Sequence, residues 1–160
     1  LNEPTHGTRR VSQIQTYLDL HGGPGVQHIA MLTPDIFSTV RAMRWRTSSG
    51  GFGFMPRPSE AYYRELPERL GLGKPGGPPL TQAQLDEAEA LGILVDRDDQ
   101  GVLLQIFTAP VGDRATLFLE VIQRIGCEED GKPQRGGCGG FGKGNFRELF
   151  KTVEDFLEDR

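Results

Sequence analysis

Leu117-Phe118-Leu119-Glu120-Val121-Ile122 is a strand-like apolar run with a carboxylate set in its middle. Strand side chains alternate between faces, so Phe118, Glu120 and Ile122 share one face and Leu119 and Val121 the other. Neither arrangement gives Glu120 a plain solvent face, because Phe118 and Ile122 travel with it. That mixture suits a ligand-lined pocket. Two more runs have the same design. Val102-Leu103-Leu104-Gln105-Ile106-Phe107 carries Gln105 on the face of Leu103 and Phe107. Gly25-Val26-Gln27-His28-Ile29-Ala30-Met31-Leu32 carries His28, with Gln27 pointing the opposite way in an ideal strand.

Burying an ionised carboxylate or an imidazole among Leu, Ile and Phe is costly unless something pairs with it. A metal ion would pair with both. A His and a Glu on separate strands look like two-thirds of a 2-His-1-carboxylate iron triad. The competing reading of His28 is a core histidine with a backbone partner.

Outward from these runs, the pattern alternates helices with strands. Ser12 to His21 reads as a short helix or an extended segment, and His21 to Gly25 as a turn. Thr33-Pro34-Asp35 opens a helix, with Thr33 as cap, Pro34 in the first helical position and Asp35 at the positive end of the dipole. Ile36, Val40 and Met43 form its buried face. A second strand is expected at Phe52 to Met55, a helix at Ser59 to Leu70 and a loop at Gly71 to Pro79. Thr81-Gln82-Ala83-Gln84 is a capping box before a helix that Gly92 ends. Residues 93–97 and 102–108 form a hairpin around Asp98 to Gly101, and 116–124 the last strand. A final helix near 145–158 presents Phe146, Leu149, Phe150, Val153 and Phe156 or Leu157 on one face.

The chain has 160 residues, 36% of them hydrophobic and 25% charged. That is enough for one domain with a core. A net charge of −4 with scattered basic residues leaves no footprint for nucleic acid. No apolar run approaches the roughly 20 residues of a membrane span, and no signal-peptide pattern opens the chain. Cys127 and Cys138 read as a reduced intracellular pair, with a disulfide as the alternative; their spacing fits no zinc motif. Six glycines between Gly136 and Gly144 predict a mobile loop. Gly142-Lys143-Gly144 lacks the Ser or Thr of a phosphate loop.

At this point four segments carry a resemblance: residues 25–30, 94–108, 116–124 and 139–146, in that order. Together with 1–7 and 12–18, they closely resemble the 4-hydroxyphenylpyruvate dioxygenase family, in its plant or green-algal form. Ala109 and Ala115 depart from that family's Lys and Pro, and 72–79 looks inserted in a surface loop.

The resemblance implies an α+β fold. It is the vicinal oxygen chelate βαβββ module, an incomplete open barrel with a C-terminal gating helix. On that pattern, 1–25 is a lead-in, 26–125 the metal-binding module, 126–144 the glycine-rich loop and 145–160 the helix. It further implies a non-haem Fe(II) enzyme that turns 4-hydroxyphenylpyruvate, a 2-oxo acid, and oxygen into homogentisate and carbon dioxide. His28 and Glu120 would be metal ligands, with a second His upstream of Leu1. His6 and His21 match no ligand motif and read as surface residues.

The implied substrate contacts are Gln105, Phe107, Phe118, Phe141, Phe146, Asn145, Gln13, Gln27, Asn2 and Leu149. Phe141 and Phe146 would clamp the ring. The resemblance also implies a homodimer, with the cytoplasm or a plastid as location. The chain is expected to be a fragment, inactive alone. Two alternatives stay open: hydroxymandelate synthase, which uses the same substrate and metal, and a non-catalytic remnant of the fold.

Overall fold

The computed structural model describes residues 1–5, 11–47, 49–51, 53–126, 132 and 140–158, the side chains of 155, 157 and 158 excepted. Helix α1 (Gln13–His21) settles the first ambiguous segment. Ser12 caps it by accepting the Gln15 N–H at 3.3 Å, and Gly22 closes it in the left-handed region. Strand β1 (His28–Leu32) follows, then helix α2 (Ile36–Thr47). Its cap differs from expectation. The Asp35 carboxylate accepts the Ser38 N–H at 3.1 Å, while the Thr33 hydroxyl lies 2.8 Å from that of Thr39. The helix begins two residues later than a Thr33 cap would require.

The strand expected at Phe52 to Met55 reduces, among the described residues, to one bridge between Phe54 and Thr108; Phe52 itself lies outside them. Helix α3 (Glu60–Leu70) starts on a Ser59 cap, and α4 (Gln82–Leu91) on the expected Thr81–Gln84 capping box. The chain then runs through β2 (Leu94–Arg97), β3 (Val102–Phe107) and β4 (Phe118–Ile125). A single 3-10 turn (Lys143–Asn145) leads into helix α5 (Phe146–Glu158).

The sheet order is β1-β4-β3-β2. The β2–β3–β4 part is antiparallel, and β1 joins β4 in parallel, with His28 opposite Phe118 and Ala30 opposite Glu120. Cross-strand partners share a face. Leu104 and Ile106 of β3 therefore join Val121 of β4 on the side covered by α2, α3 and α4. Ile36, Val40, Leu66, Leu70, Leu85 and Ala88 pack there. Gln123 is the polar exception on that side, and it is used. Its amide accepts the Ile36 N–H at 2.9 Å and donates to the Pro34 carbonyl at 2.8 Å, fastening the start of α2 to β4. Leu103, Gln105 and Phe107 line the opposite side with Glu120, Ile122 and Arg124. Among the described residues no helix is long and apolar enough to cross a membrane.

Candidate functional site

That second side of the sheet forms the floor of a cavity of about 550 Å³, with the turn before α5 and the first turns of α5 as its far wall. His28 stands at the first position of β1 and Glu120 at the third of β4. Their side chains converge, with His28 Nε2 3.6 Å from Glu120 Oε2. The His28 ring is stacked on Phe118, centroids 5.3 Å apart, and meets Phe107 edge-on. Its Nδ1 lies 3.2 Å from Gln27 Oε1, an acceptor, so Nδ1 carries the proton and the Nε2 lone pair faces the cavity.

Burial lowers the imidazole's pKa, which favours the neutral form that can donate that lone pair. Burial also pushes the Glu120 carboxyl up to about 7, only partly offset by the Arg124 guanidinium. A carboxyl in that state gains from a cation. A neutral imidazole and a carboxylate opening on one cavity fit a divalent first-row metal. Among the described residues no third His, Cys, Asp or Glu joins them. His21 is exposed, stacked on Tyr17 and bonded to its own turn through Gly23 O at 2.9 Å. His6, Cys127 and Cys138 fall outside the described residues.

The other expected contacts divide. Asn2, Gln27, Gln105, Phe107, Phe141, Phe146 and Leu149 line the cavity. Gln27 does so despite the parity argument, because it precedes β1 and is not bound by strand alternation. Phe141 is 83% exposed, and Phe146 stacks on Phe150 rather than on Phe141.

Three of the expected contact residues do not line this cavity. Phe118 lies beneath the His28 ring, buried, and supports it instead of facing the cavity. Gln13 is buried one step back, where its Oε1 accepts from Gln27 Nε2 at 3.4 Å. Asn145 is fully buried in the 3-10 turn, not on the helix, and reaches the cavity only through Gln105, to which its Nδ2 donates at 3.2 Å. Arg124 and Phe150 are cavity residues that the sequence reading missed. For Arg124 the signal was present, since it continues the 118, 120, 122 alternation.

No family model matches the chain. It is 61% identical to the 4-hydroxyphenylpyruvate dioxygenase of Plectranthus scutellarioides and 58% identical to that of Arabidopsis thaliana, over 98% of its own length and 35% of theirs. The Sus scrofa protein of the same name is 44% identical over all of this chain and 35% of that one. The chain thus spans about a third of the length of the curated relatives it matches, in their C-terminal part. Among solved structures it superposes on a mutant 4-hydroxymandelate synthase from Streptomyces coelicolor with a TM-score of 0.70 and 34% identity, covering 92% of this chain and 35% of that one. A xylose isomerase-like TIM barrel/4-hydroxyphenylpyruvate dioxygenase fusion protein gives 0.61 and 25%, over 91% and 20%. The chain thus resembles plant 4-hydroxyphenylpyruvate dioxygenase, and its fold is the vicinal oxygen chelate module, with β1 and β2 as the edge strands among the described residues.

Proposed function

We propose that this chain carries two ligands and most of one substrate wall of a non-haem Fe(II) 4-hydroxyphenylpyruvate dioxygenase, which forms homogentisate and carbon dioxide. The observation that carries the proposal is the His28–Glu120 pair, 3.6 Å apart at a cavity floored by Phe107 and Gln105. The similarity to the plant enzymes supports it.

Fe(II) would supply the chemistry of binding a 2-oxo acid and activating oxygen, for which open coordination positions are needed. The chain's own residues do the rest. His28, through Nε2, and Glu120 would hold the ion. Gln27 fixes the imidazole's tautomer, and Phe118 fixes its plane. Gln105 holds Glu120 Oε1 through Nε2 at 3.1 Å, so the other oxygen is the one left for metal. Phe107, Phe146 and Leu149 present apolar surface to an aromatic ring and exclude water from it. The third ligand is assigned to no described residue.

The test is made in a protein that includes the upstream region present in the relatives. His28→Ala and Glu120→Gln should each abolish oxygen uptake with 4-hydroxyphenylpyruvate and lower bound iron well below one per chain. Normal iron content and turnover in either variant would refute the assignment. The structural likeness to hydroxymandelate synthase makes that enzyme the second reading, and the product separates the two: homogentisate against 4-hydroxymandelate.

A further inference from the structure

A chain of polar groups runs through the interior from α3 to Glu120. Arg69 Nη2 donates to the Val95 carbonyl at 2.7 Å, to Tyr62 Oη at 3.2 Å and to Asn145 Oδ1 at 3.3 Å. Tyr62 Oη accepts the Val95 N–H at 2.8 Å, and its one proton has two acceptors in reach, Asn145 Oδ1 at 2.8 Å and the Val95 carbonyl at 3.0 Å, of which Arg69 already serves the carbonyl. Asn145 Nδ2 then donates to Gln105 Oε1 at 3.2 Å, and Gln105 Nε2 to Glu120 Oε1 at 3.1 Å. Tyr62 and Asn145 are buried away from the cavity, so a partner lost there leaves a polar group with no ready replacement.

The direction of this chain is set at one end. A primary amide can sit either way round, but a guanidinium has only donors. Arg69 and Tyr62 therefore draw Asn145's oxygen toward α3. Its nitrogen must then face Gln105, which turns Gln105's oxygen to Asn145 and its nitrogen to Glu120. With Asn145 reversed, Gln105 would turn its carbonyl toward Glu120, and once that carboxyl is ionised, as a metal ligand must be, two acceptors would face each other with no proton between them.

We propose that Arg69 and Tyr62 are positioning residues: through Asn145 and Gln105 they present an N–H to Glu120 Oε1 and leave Oε2 for the metal. The proposal rests on the reading of Glu120 as a ligand. It also ties the tail to the site, because Asn145 ends the turn that starts α5. The tight seating of that turn uses glycines at 142 and 144, the first of them in the left-handed region. A Cβ on Gly142 would fall on the Gln105 amide, and one on Gly144 on the Asp96 carboxylate, which accepts the Gly144 N–H at 2.8 Å.

The test uses the same protein with the upstream region of the relatives, with cobalt(II) as the metal probe and the side-chain amide ¹H–¹⁵N pair of Gln105 as a metal-independent probe. Asn145→Asp keeps the volume and the Arg69 contact but removes the donor to Gln105. Arg69→Met removes the cation, and Arg69→Lys restores a donor. Asn145→Asp and Arg69→Met should shift the Gln105 amide pair and weaken cobalt binding by about 10- to 100-fold, with altered d–d bands. Arg69→Lys should recover most of both. Folded Asn145→Asp with an unchanged Gln105 amide pair and unchanged cobalt affinity overturns the proposal. The two readings fail separately. If Glu120→Gln leaves cobalt binding intact, the ligand reading falls, while the amide shift still reports whether the relay exists.

Discussion

Strands β3 and β1 are both apolar runs with one polar residue, yet their surroundings are opposite. Every residue of β3 is buried, on both faces. In β1 His28 is half-buried, and the four residues after it are exposed, with Ile29 at 50% and Leu32 at 58%. The difference is position. β3 lies between β2 and β4, with α2 to α4 on one side and the tail turn on the other. β1 has β4 along one edge and no described strand along the other. An apolar run states that a strand wants cover, not whether the cover lies in the same chain. Exposed apolar surface with an open edge is the usual mark of an interaction surface.

The contrast makes a scale of effects. Leu104→Ala in β3 should cost about 2–5 kcal/mol, since Leu104 is fully buried and the gap cannot close, and urea unfolding reads the loss. A cost under 1 kcal/mol would mean that the β3 core is loose. β4, between the two strands, gives the next effect, which depends on pH. The folded Glu120 carboxyl has a pKa raised from 4.5 to about 7. Between those values the folded chain holds a proton that the unfolded chain releases, so this group's contribution falls as pH rises through the window. Glu120→Gln should therefore stabilise the metal-free chain by about 3 kcal/mol at pH 8 and by almost nothing at pH 4. Equal melting shifts at both pH values would contradict it.

A smaller effect is expected at the tail. On the proposed function, Phe146→Ala should weaken binding of an aromatic 2-oxo acid by roughly 0.5–1.5 kcal/mol beyond lost area, read as a raised KM in a protein that also carries the upstream region of the relatives. A fall in melting temperature alone would make Phe146 a packing residue. Smallest is Ile29→Lys on β1, within about 0.5 kcal/mol on folding. It should, however, reduce self-association in sedimentation. A large loss of stability there would show β1 to be covered after all.

Much of this was legible in the sequence. Alternation alone put Gln105 with Phe107 and Glu120 with Phe118 and Ile122, and the pairing of β3 with β4 keeps those sets together. What failed was local geometry that no period encodes. Thr33 and Asp35 are both good caps, and the choice went to Asp35, whose carboxylate reaches Ser38. Strand parity misdirected Gln27 because the strand begins one residue later. Asn145 looked like a helix residue because the 3-10 turn and α5 read as one periodic run. Tyr62 and Arg69 share a helix face by their seven-residue spacing, but nothing in α3 announces a partner far along the chain.

The parallel pairing of β1 with β4 also has a consequence in time. Antiparallel β2, β3 and β4 follow one another closely and can zip together as they are made. β1 is made before them, but its partner is the last strand to appear. Pairs so distant in sequence are slow to close, because the loop entropy is paid before the contact forms. His28 therefore waits, and it meets Glu120 only after the rest of the sheet exists. A hydrogen-exchange pulse during refolding should mark β2–β4 as protected first and β1 as the slow phase.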